Sequence, residues 1–364
     1  MAIATDHPEV ELAPERRRLR SATVAGIGVA LPPSHSQAEM WTEFFAGHYG
    51  HGEGAEKLWH RCGIDRRHAV VDPRTEDVRE WGTERRMRRF VEEGLPLGAR
   101  AVEACLADAG IDRSDVGLLE VVSCTGYATP GIDILLARDL GMSDSIQRLH
   151  IGHMGCYAAV PGLAAVSDAV SARGKVAVML CLELTSLHIQ PPSEDLEQLV
   201  AHALFSDAAV ATAVVPDGPG FEVVDVVART DAPESHMMTW HVTDMGFRMG
   251  LSPQVPNVLE RHVESVVDEL LAPEGLRPQD VAGWAVHPGG PRILDVVAEQ
   301  LGLEDGALAE SQAVLRDHGN CSSATVLLVL DRLRRERDLS EGDPVIFMSF
   351  GPGLTLYAAL LRVR

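Results

Sequence analysis

The sequence predicts an α/β protein built on a mainly parallel sheet with helices on its faces. From about Ala22 onward, short runs of β-branched residues alternate with helical patterns, and this alternation is typical of parallel sheets. Several strand-like runs are apolar throughout, which indicates burial on both faces. The alternation restarts after the segment DGPG at 217–220. We therefore expect two halves, 1–216 and 217–364, from a duplicated unit, although the sequence shows no visible repeat.

The first half is predicted to hold five strands and three helices. The strands are 21–32, 116–124, 147–151, 175–184 and 207–216, and the helices are 98–111, 132–141 and 155–174. Gly110 marks the end of the first of these helices, since glycine commonly ends a helix. The segment 72–93, with its basic helix ERRMRRF, is predicted to be solvated or interfacial; phosphate binding is the alternative.

The second half is predicted to repeat this alternation. Strands are expected at 221–230, 281–287, 343–350 and 354–363, and helices at 255–271, 291–302 and 322–336. A chain of 364 residues that is 46% hydrophobic can bury a core of this size.

Charge and composition exclude several function classes. The formal net charge is −21 and the isoelectric point is about 5.1, so nucleic acid and anionic membrane surfaces should be repelled. The first twenty positions carry charge where a signal peptide needs an apolar run, and no run of 18 apolar residues occurs. Six cysteines without CxxC pairs indicate free thiols in a cytoplasmic protein. No HExxH pattern is present, so no catalytic metal is expected.

Glycine- and proline-marked motifs carry the candidate chemistry. They are HMGCYAAVPG around Cys156, AVHPGGPRILD around His287, DHGNCSSATVLLVLD around Asn320, and the loop SFGPGLT at 349–355. The first three follow predicted strands, and open parallel sheets place functional groups at strand ends.

These motifs resemble those of a known enzyme family. HPGGPRILD, GNCSSATVLLVLD and FGPGLT are similar to signatures of the type III polyketide synthases, which include chalcone and tetrahydroxynaphthalene synthases. The segments 122–133 and 182–210 are similar to the same family, so the resemblance covers almost the whole chain. It implies a five-layered αβαβα thiolase fold with two duplicated halves, a homodimer, and malonyl-CoA and acyl-CoA substrates without a permanently bound cofactor.

The resemblance also assigns a catalytic set. Cys156 would capture an acyl group as a thioester, and a helix N-terminus and a nearby imidazole would lower its thiol pKa. His287 and Asn320 would hold the enolate that forms when malonyl-CoA loses carbon dioxide. The alternatives are a buried cysteine, a helix-capping histidine and a turn asparagine. His153 and His318, which match no family role, are interpreted as pocket-wall or packing residues.

Further site residues follow from the resemblance by position. Phe205 and Phe247 would be gatekeepers between a CoA tunnel and the reaction cavity, with core packing as the alternative. The expected cavity residues are Cys124, Thr125, Thr129, His188 and Ser322. Thr129 would lie on a loop that reaches the partner subunit, and Cys124 would be a second reactive thiol or, as we favour, a small cavity residue. Lys57 and Arg61 would bind the CoA phosphates, with surface solvation as the alternative.

One departure concerns the helix behind the nucleophile. Where the family usually has Cys-x-Ala-Gly-Gly, this chain continues from Cys156 through Ala158, Ala159 and Val160 to Pro161. A proline inside a helix costs about 3 kcal/mol when nothing compensates. The sequence therefore predicts an altered pose for the nucleophile.

Three alternative functions remain open from the sequence. A ketoacyl synthase III-like enzyme with one condensation shares the Cys, His and Asn set, but the HPGGP and FGPG motifs favour the type III family. A cysteine hydrolase would need the asparagine to orient the histidine. A catalytically altered homologue that only binds acyl-CoA is the non-enzyme alternative.

Overall fold

A computed structural model describes residues 20–50 and 52–364. In this part of the chain the strands are β1 (Ala22–Ala30), β2 (Ser34–Ser36), β3 (Arg66–His68), β4 (Val116–Val122), β5 (Gln147–Ile151), β6 (Val176–Glu183), β7 (Ala208–Pro216), β8 (Phe221–Thr230), β9 (Met238–Thr243), β10 (Gly246–Leu251), β11 (Gly283–Val286), β12 (Pro344–Gly351) and β13 (Thr355–Val363).

The α-helices connect these strands. They are α1 (Gln37–Met40), α2 (Ala46–Tyr49), α3 (Glu53–His60), α4 (Thr83–Ala109), α5 (Ile132–Asp139), α6 (Ala159–Arg173), α7 (Leu196–Leu204), α8 (Val255–Leu271), α9 (Pro291–Leu301), α10 (Ala309–His318) and α11 (Ala324–Glu336). A π-helical turn, Trp41–Phe45, joins α1 to α2.

The main sheet shows the same arrangement twice. Its order is β11-β12-β13-β8-β1-β7-β6-β4-β5. In the first half β4 and β6 are parallel, whereas β7 is antiparallel to both β6 and β1. In the second half β11 and β12 are parallel, whereas β13 is antiparallel to both β12 and β8. The two halves thus share strand order and direction, and a short β1–β8 pairing joins them.

Helices and sheets alternate in five layers. Helix α4 covers β1, β6 and β7 on one side, α6 and α11 lie between the two halves of the sheet, and α8 covers β8 and β13 on the far side. Strand β6 shows why its sequence is apolar throughout: Val178 and Leu180 belong to the core under α4, whereas Met179 and Cys181 belong to the core around α6. The α/β class and the thiolase-like five-layered fold are confirmed. The prediction of a mainly parallel sheet is wrong, because five of the eight strand pairings in the main sheet are antiparallel and three are parallel.

The predicted solvated segment at 72–93 is only partly solvated. Its basic helix is continuous with the predicted helix 98–111, and together they form the 27-residue α4. The Arg86 side chain is fully buried and donates to the backbone carbonyls of Val78, Trp81, Leu187 and Ile189. Four carbonyl acceptors make burial of this guanidinium tolerable, which the charge pattern alone could not indicate.

Pro161 does not disturb the nucleophile helix. Helix α6 begins at Ala159, so Pro161 is its third residue. N–H groups of the first helical turn have no intrahelical partner, and a proline there removes no hydrogen bond. The prediction of an altered nucleophile pose from this proline is therefore wrong in its physical premise.

Candidate active site

Cys156 lies in a 3-10 turn, Gly155–Tyr157, immediately ahead of α6. Gly155 has a φ of +73°, and a Cβ at this position would lie 2.6 Å from Cδ of Pro352. A Cβ on Gly351 would likewise lie 3.2 Å from the backbone nitrogen of Cys156. The positive φ and the close contact favour glycine at 155, and the contact at Gly351 is tight, where the SFGPGLT loop closes over the nucleophile turn.

Asn320 is held by backbone and side-chain hydrogen bonds. It forms a β-bridge with Phe205, and its backbone N–H donates to the carbonyl of Leu204 at 2.9 Å. Its Oδ1 accepts from the N–H of Ser322 at 2.9 Å. This bond fixes the amide orientation and leaves the NH2 group as the end that can donate. The Asn320 side chain lowers the pKa of the Cys156 thiol in part.

His287 follows β11 and is anchored by its backbone. Its N–H donates to the carbonyl of Met348 at 2.8 Å, and its ring meets Phe350 edge to face, with centroids 5.9 Å apart. The side chain is fully buried, yet neither ring nitrogen has a hydrogen-bond partner. Burial lowers the pKa of His287 to about 3, so the imidazole is neutral and keeps one N–H to donate.

The electrostatics of Cys156 differ from the prediction. Burial raises the pKa of the Cys156 thiol to about 12, although hydrogen bonds from Ser322 and Asn320 lower it in part and the charge of Glu183 raises it further. The sequence predicted a depressed thiol pKa from a helix N-terminus and an imidazole. In this pocket desolvation is the largest influence on the thiol, and the resting thiol is protonated.

A buried carboxylate network lies beside the nucleophile. Glu183 accepts from the Thr125 hydroxyl at 2.8 Å, the Ser323 hydroxyl at 2.6 Å and the Cys124 backbone N–H at 3.1 Å. The Cys124 sulfur lies 3.5 Å from both Glu183 oxygens and 3.3 Å from the Ser322 hydroxyl. Burial and Glu183 raise the Cys124 pKa well above its usual value. This environment favours the interpretation of Cys124 as a cavity residue rather than a second nucleophile.

A small chamber of about 280 Å³ opens at Cys156. Its lining includes four predicted residues, which are Phe205, Cys124, Thr125 and Ser322. The sequence reasoning missed Thr185, Trp240, Met249 and Pro352, which complete the lining with Gly155. Alternation of apolar and polar residues from Met238 to Val242 was the available signal for a strand that turns Trp240 inward.

Phe247 and His188 lie in a neighbouring chamber of about 550 Å³. The two chambers share Thr185, Phe205, Trp240 and Met249. The ring of Phe247 stacks on His188 at 4.5 Å. His188 donates from Nε2 to the Thr125 carbonyl at 2.6 Å and accepts the Phe247 N–H at 3.0 Å, and burial lowers its pKa to about 3. Met249, rather than Phe247, borders the Cys156 chamber.

The remaining predicted residues lie away from both chambers. Thr129 precedes a cis peptide bond to Pro130 and lines a separate groove with His150 and the exposed Tyr127. Lys57 lies on α3 and Arg61 directly follows it; both are exposed, and Lys57 is 3.7 Å from Glu53. His318 hydrogen-bonds His68 at 3.0 Å, as a packing residue would.

Between 20 and 364, leaving out position 51, no three His, Cys, Asp or Glu side chains are grouped as a metal ion would need. Over the same positions no helix is both long and apolar enough to cross a bilayer.

Comparisons with known proteins identify the relatives of this chain. The family described as chalcone and stilbene synthases matches with its N-terminal domain at residues 14–219 and its C-terminal domain at 224–364. A 3,5-dihydroxyphenylacetyl-CoA synthase from Streptomyces toyocaensis is 31% identical over 100% of this chain and 98% of its own length. A 1,3,6,8-tetrahydroxynaphthalene synthase from Streptomyces peucetius subsp. caesius is 31% identical over 94% and 93%.

Two solved structures of polyketide synthases are similar to this chain in fold. The polyketide synthase PKS-I from the brown alga Ectocarpus siliculosus has a TM-score of 0.86 at 28% identity, covering 96% of this chain and all of that one. The C-terminal type III polyketide synthase domain of Steely1 from Dictyostelium has a TM-score of 0.88 at 24% identity, covering 94% and 99%, and it supports the fold.

Proposed function

Because the chain belongs to the chalcone and stilbene synthase family, the type III polyketide synthases, which extend CoA thioesters by decarboxylative condensation, we propose that Cys156 is its nucleophile and that His287 and Asn320 hold the reacting carbonyl. The observation that supports this assignment is a buried Cys156 thiol together with two buried side chains that carry N–H donors. The Asn320 amide is turned toward the sulfur, and the fully buried His287 ring has no protein partner. A buried polar group without a partner is costly unless a ligand supplies one.

Loading begins with a proton transfer. The Cys156 S–H proton passes to the neutral His287 ring as the sulfur attacks the acyl-CoA carbonyl carbon. The C–S bond to CoA then breaks, and the departing CoA thiolate takes the proton from the imidazolium. The products are an acyl thioester on Cys156, free CoA and neutral His287. Because the pKa of the resting Cys156 thiol is raised to about 12, the pair of Cys156 thiolate and His287 imidazolium forms only transiently.

Extension uses the same two N–H groups. Loss of carbon dioxide from malonyl-CoA leaves an electron pair that becomes an enolate, whose oxygen accepts from His287 and Asn320. The enolate carbon attacks the thioester on Cys156, and the Cys156 sulfur leaves and regains a proton. The extended chain is then carried on CoA. Phe205 and Met249, which border the chamber, would exclude water from these steps; this gives Met249 the gate position that the sequence assigned to Phe247.

The remaining assignments extend this proposal. Lys57 and Arg61 would bind the CoA phosphates. This assignment is supported by the exposure of Lys57 on α3 and of Arg61 directly after it, in a chain of net charge −21. The six cysteines are free, which supports action in the reducing cytoplasm. The halves 1–216 and 217–364 would each be one thiolase unit, supported by β7 ending at Pro216.

A homodimer is proposed from the edge of the sheet. Strand β5 is the edge strand, and most of its residues are exposed. Tyr127, Ile134 and Leu149 are exposed large apolar side chains in the same region. An unpaired edge with apolar neighbours invites association with a second copy, and Thr129 lies on the adjacent loop.

The product class is proposed from the relatives. The names of those relatives denote polyhydroxylated aromatic compounds, so we expect this chain to cyclise a malonyl-derived polyketide. Mass spectrometry of products from malonyl-CoA, alone and with acetyl-CoA, tests this expectation; only linear acids would contradict it.

Incubation with carboxyl-labelled malonyl-CoA tests the catalytic assignment. Cys156→Ala should still release labelled carbon dioxide but form no condensation product, whereas Asn320→Ala should lose both activities. Thioester hydrolysis by the wild type without decarboxylation would reject the proposed function.

A further inference from the structure

The hairpin formed by β9 and β10 supplies one wall of both chambers. Its strands pair so that Trp240 lies opposite Met249 and Val242 lies opposite Phe247. Directly opposed residues share a face, so this face turns Trp240 and Met249 toward Cys156 and Phe247 toward the neighbouring chamber. The opposite face carries polar residues such as Arg248, which pairs with Asp195 at 2.6 Å.

The two-stranded sheet leaves the outer edge of β10 without a partner strand. In an antiparallel pair, alternate residues direct both backbone groups away from the partner. In β10 these residues are Phe247, Met249 and Leu251, and Met245 lies in the turn just before the strand. Such groups need partners because this edge is largely buried.

Side chains from the segment 188–198 hydrogen-bond several of these groups. His188 accepts the Phe247 N–H at 3.0 Å, and Gln190 donates to the carbonyls of Met245 at 3.2 Å and Phe247 at 3.1 Å. Gln198 donates to the carbonyl of Met249, and Glu197 accepts the Leu251 N–H at 3.0 Å. Three of the four side chains are buried. The edge ladder consists of His188, Gln190, Glu197 and Gln198.

The opposite side of the hairpin touches the catalytic loops directly. Trp240 donates from its indole nitrogen to the carbonyl of Cys124 at 2.7 Å. The backbone N–H of Gly353, in the loop that closes over Cys156, donates to the carbonyl of Met238 at 3.0 Å. A shift of β10 therefore moves the wall of the reaction chamber.

We propose that the edge ladder takes the place of a third strand and positions the hairpin, so that Trp240 and Met249 keep water from the Cys156 thioester during extension. This inference rests on the proposed function. The ladder residues touch no reacting atom and are positioning residues. When the ladder is broken, water enters and attacks the thioester carbonyl; the C–S bond breaks, the Cys156 thiol is restored and a free acid leaves.

Near-isosteric substitution tests the ladder. Gln198→Met and Gln190→Met remove the donors with little change in volume, and Arg248→Gln is the matched control on the polar face of the same strand. With malonyl-CoA and acetyl-CoA, each ladder variant should raise the ratio of hydrolysed short acids to full-length product about tenfold, because an unsatisfied buried carbonyl favours opening of the strand. Arg248→Gln should leave the ratio unchanged.

A second readout does not depend on activity. Amide hydrogen exchange of the peptide covering 246–251 should become about tenfold faster in the ladder variants and not in the control. Glu197→Met, at the half-buried end of the ladder, gives a milder variant should the glutamine variants fail to fold. Unchanged exchange would overturn the ladder itself; faster exchange with an unchanged product ratio would overturn its positioning role.

The two proposals fail in different ways. Wild-type protein that forms no condensation product from malonyl-CoA would refute the proposed function, whereas the exchange rates of the hairpin would still decide whether the ladder holds β10.

Discussion

The two halves of the molecule bring equivalent helices to one chamber and give them different chemistry. Helix α6 begins three residues after Cys156, and α11 begins four residues after Asn320. Both helices lie in the central layer, and residues ahead of each line the chamber. The positive ends of two helix dipoles therefore meet there. In the proposed mechanism the first half would supply the nucleophile and the second half the donors, so that duplication would separate covalent capture from enolate stabilisation.

The halves also differ at their outer edges and in their interiors. In the first half β5 extends the sheet beyond β4, whereas within the described residues no strand continues it beyond β11. Strand β4 carries the buried Glu120 beside α6, whereas β11 has the sequence GWAV. Each half thus buries a titratable side chain without a hydrogen-bond partner, Glu120 in the first and His287 in the second.

Asn320→Asp should break the division of roles most severely. It replaces the NH2 donor with an anionic acceptor of the same size, so carbon dioxide release from malonyl-CoA should fall about 10³-fold. Asn257→Asp, on the exposed face of α8, is the control and should leave release unchanged. Retained decarboxylation in the Asn320 variant would show that the second half does not supply the enolate donors.

The protonated state of Cys156 predicts a steep pH dependence of alkylation. Since the pKa is raised to about 12, the reactive thiolate is scarce at pH 7, and its fraction grows as pH rises. Site-resolved iodoacetamide labelling should accelerate about tenfold per pH unit between about pH 7 and pH 10. A plateau below pH 8 would instead indicate a stable thiolate–imidazolium pair in the free enzyme.

Glu120 should make the first half sensitive to alkaline pH. Its carboxyl group is fully buried without a hydrogen-bond partner, and burial raises its pKa to about 8. Its folded-state pKa exceeds its unfolded value, so its contribution to stability falls as pH rises from about 4.5 to 8. Between pH 5.5 and pH 9 the wild type should therefore lose on the order of 3 kcal/mol of unfolding free energy, and Glu120→Gln should remove this loss.

Denaturant unfolding at pH 5.5 and pH 9 measures this difference. Glu103→Gln, exposed on α4, should unfold as the wild type does at both values. Equal pH dependence in the wild type and Glu120→Gln would mean that Glu120 finds a partner or is ionised in the folded state.

The smallest expected effect concerns CoA binding by the first half. Lys57→Ala combined with Arg61→Ala should raise KM for malonyl-CoA about tenfold with kcat nearly unchanged, because lost phosphate contacts weaken substrate and transition state alike. Arg100→Ala, exposed on α4, is the control. Added salt should reduce the difference in KM between the wild type and the double variant, because salt screens contacts between exposed charges. A lower kcat at unchanged KM would place these side chains in another role.

Much of the fold followed from the sequence, because strand and helix periodicity is local. The alternation of elements in both halves and the positions of Cys156 and Asn320 ahead of helices could be predicted. Burial of Arg86 could not, since it depends on carbonyls from Leu187 and Ile189, about a hundred residues away.

The gate residue illustrates the same limit. Phe247 and Met249 lie on one face of β10, and only the placement of the hairpin decides which of them borders Cys156. That placement depends on tertiary bonds to side chains such as Gln190 and Gln198. The thiol pKa was also mispredicted, because the depth of burial has no signature in the motif around Cys156.

The β-bridge between Phe205 and Asn320 has a mechanical consequence. Two peptide groups on either side of this crossing are tied by backbone bonds, from Asn320 to Leu204 and from Ser206 to Asn320, each 2.9 Å long. Rotation of the Phe205 phenyl ring leaves these bonds intact, whereas a shift of its Cα would also move the backbone of Asn320. Under the proposed function, widening the entrance by backbone motion would therefore displace the Asn320 amide from the enolate, so substrate entry would depend on side-chain movement.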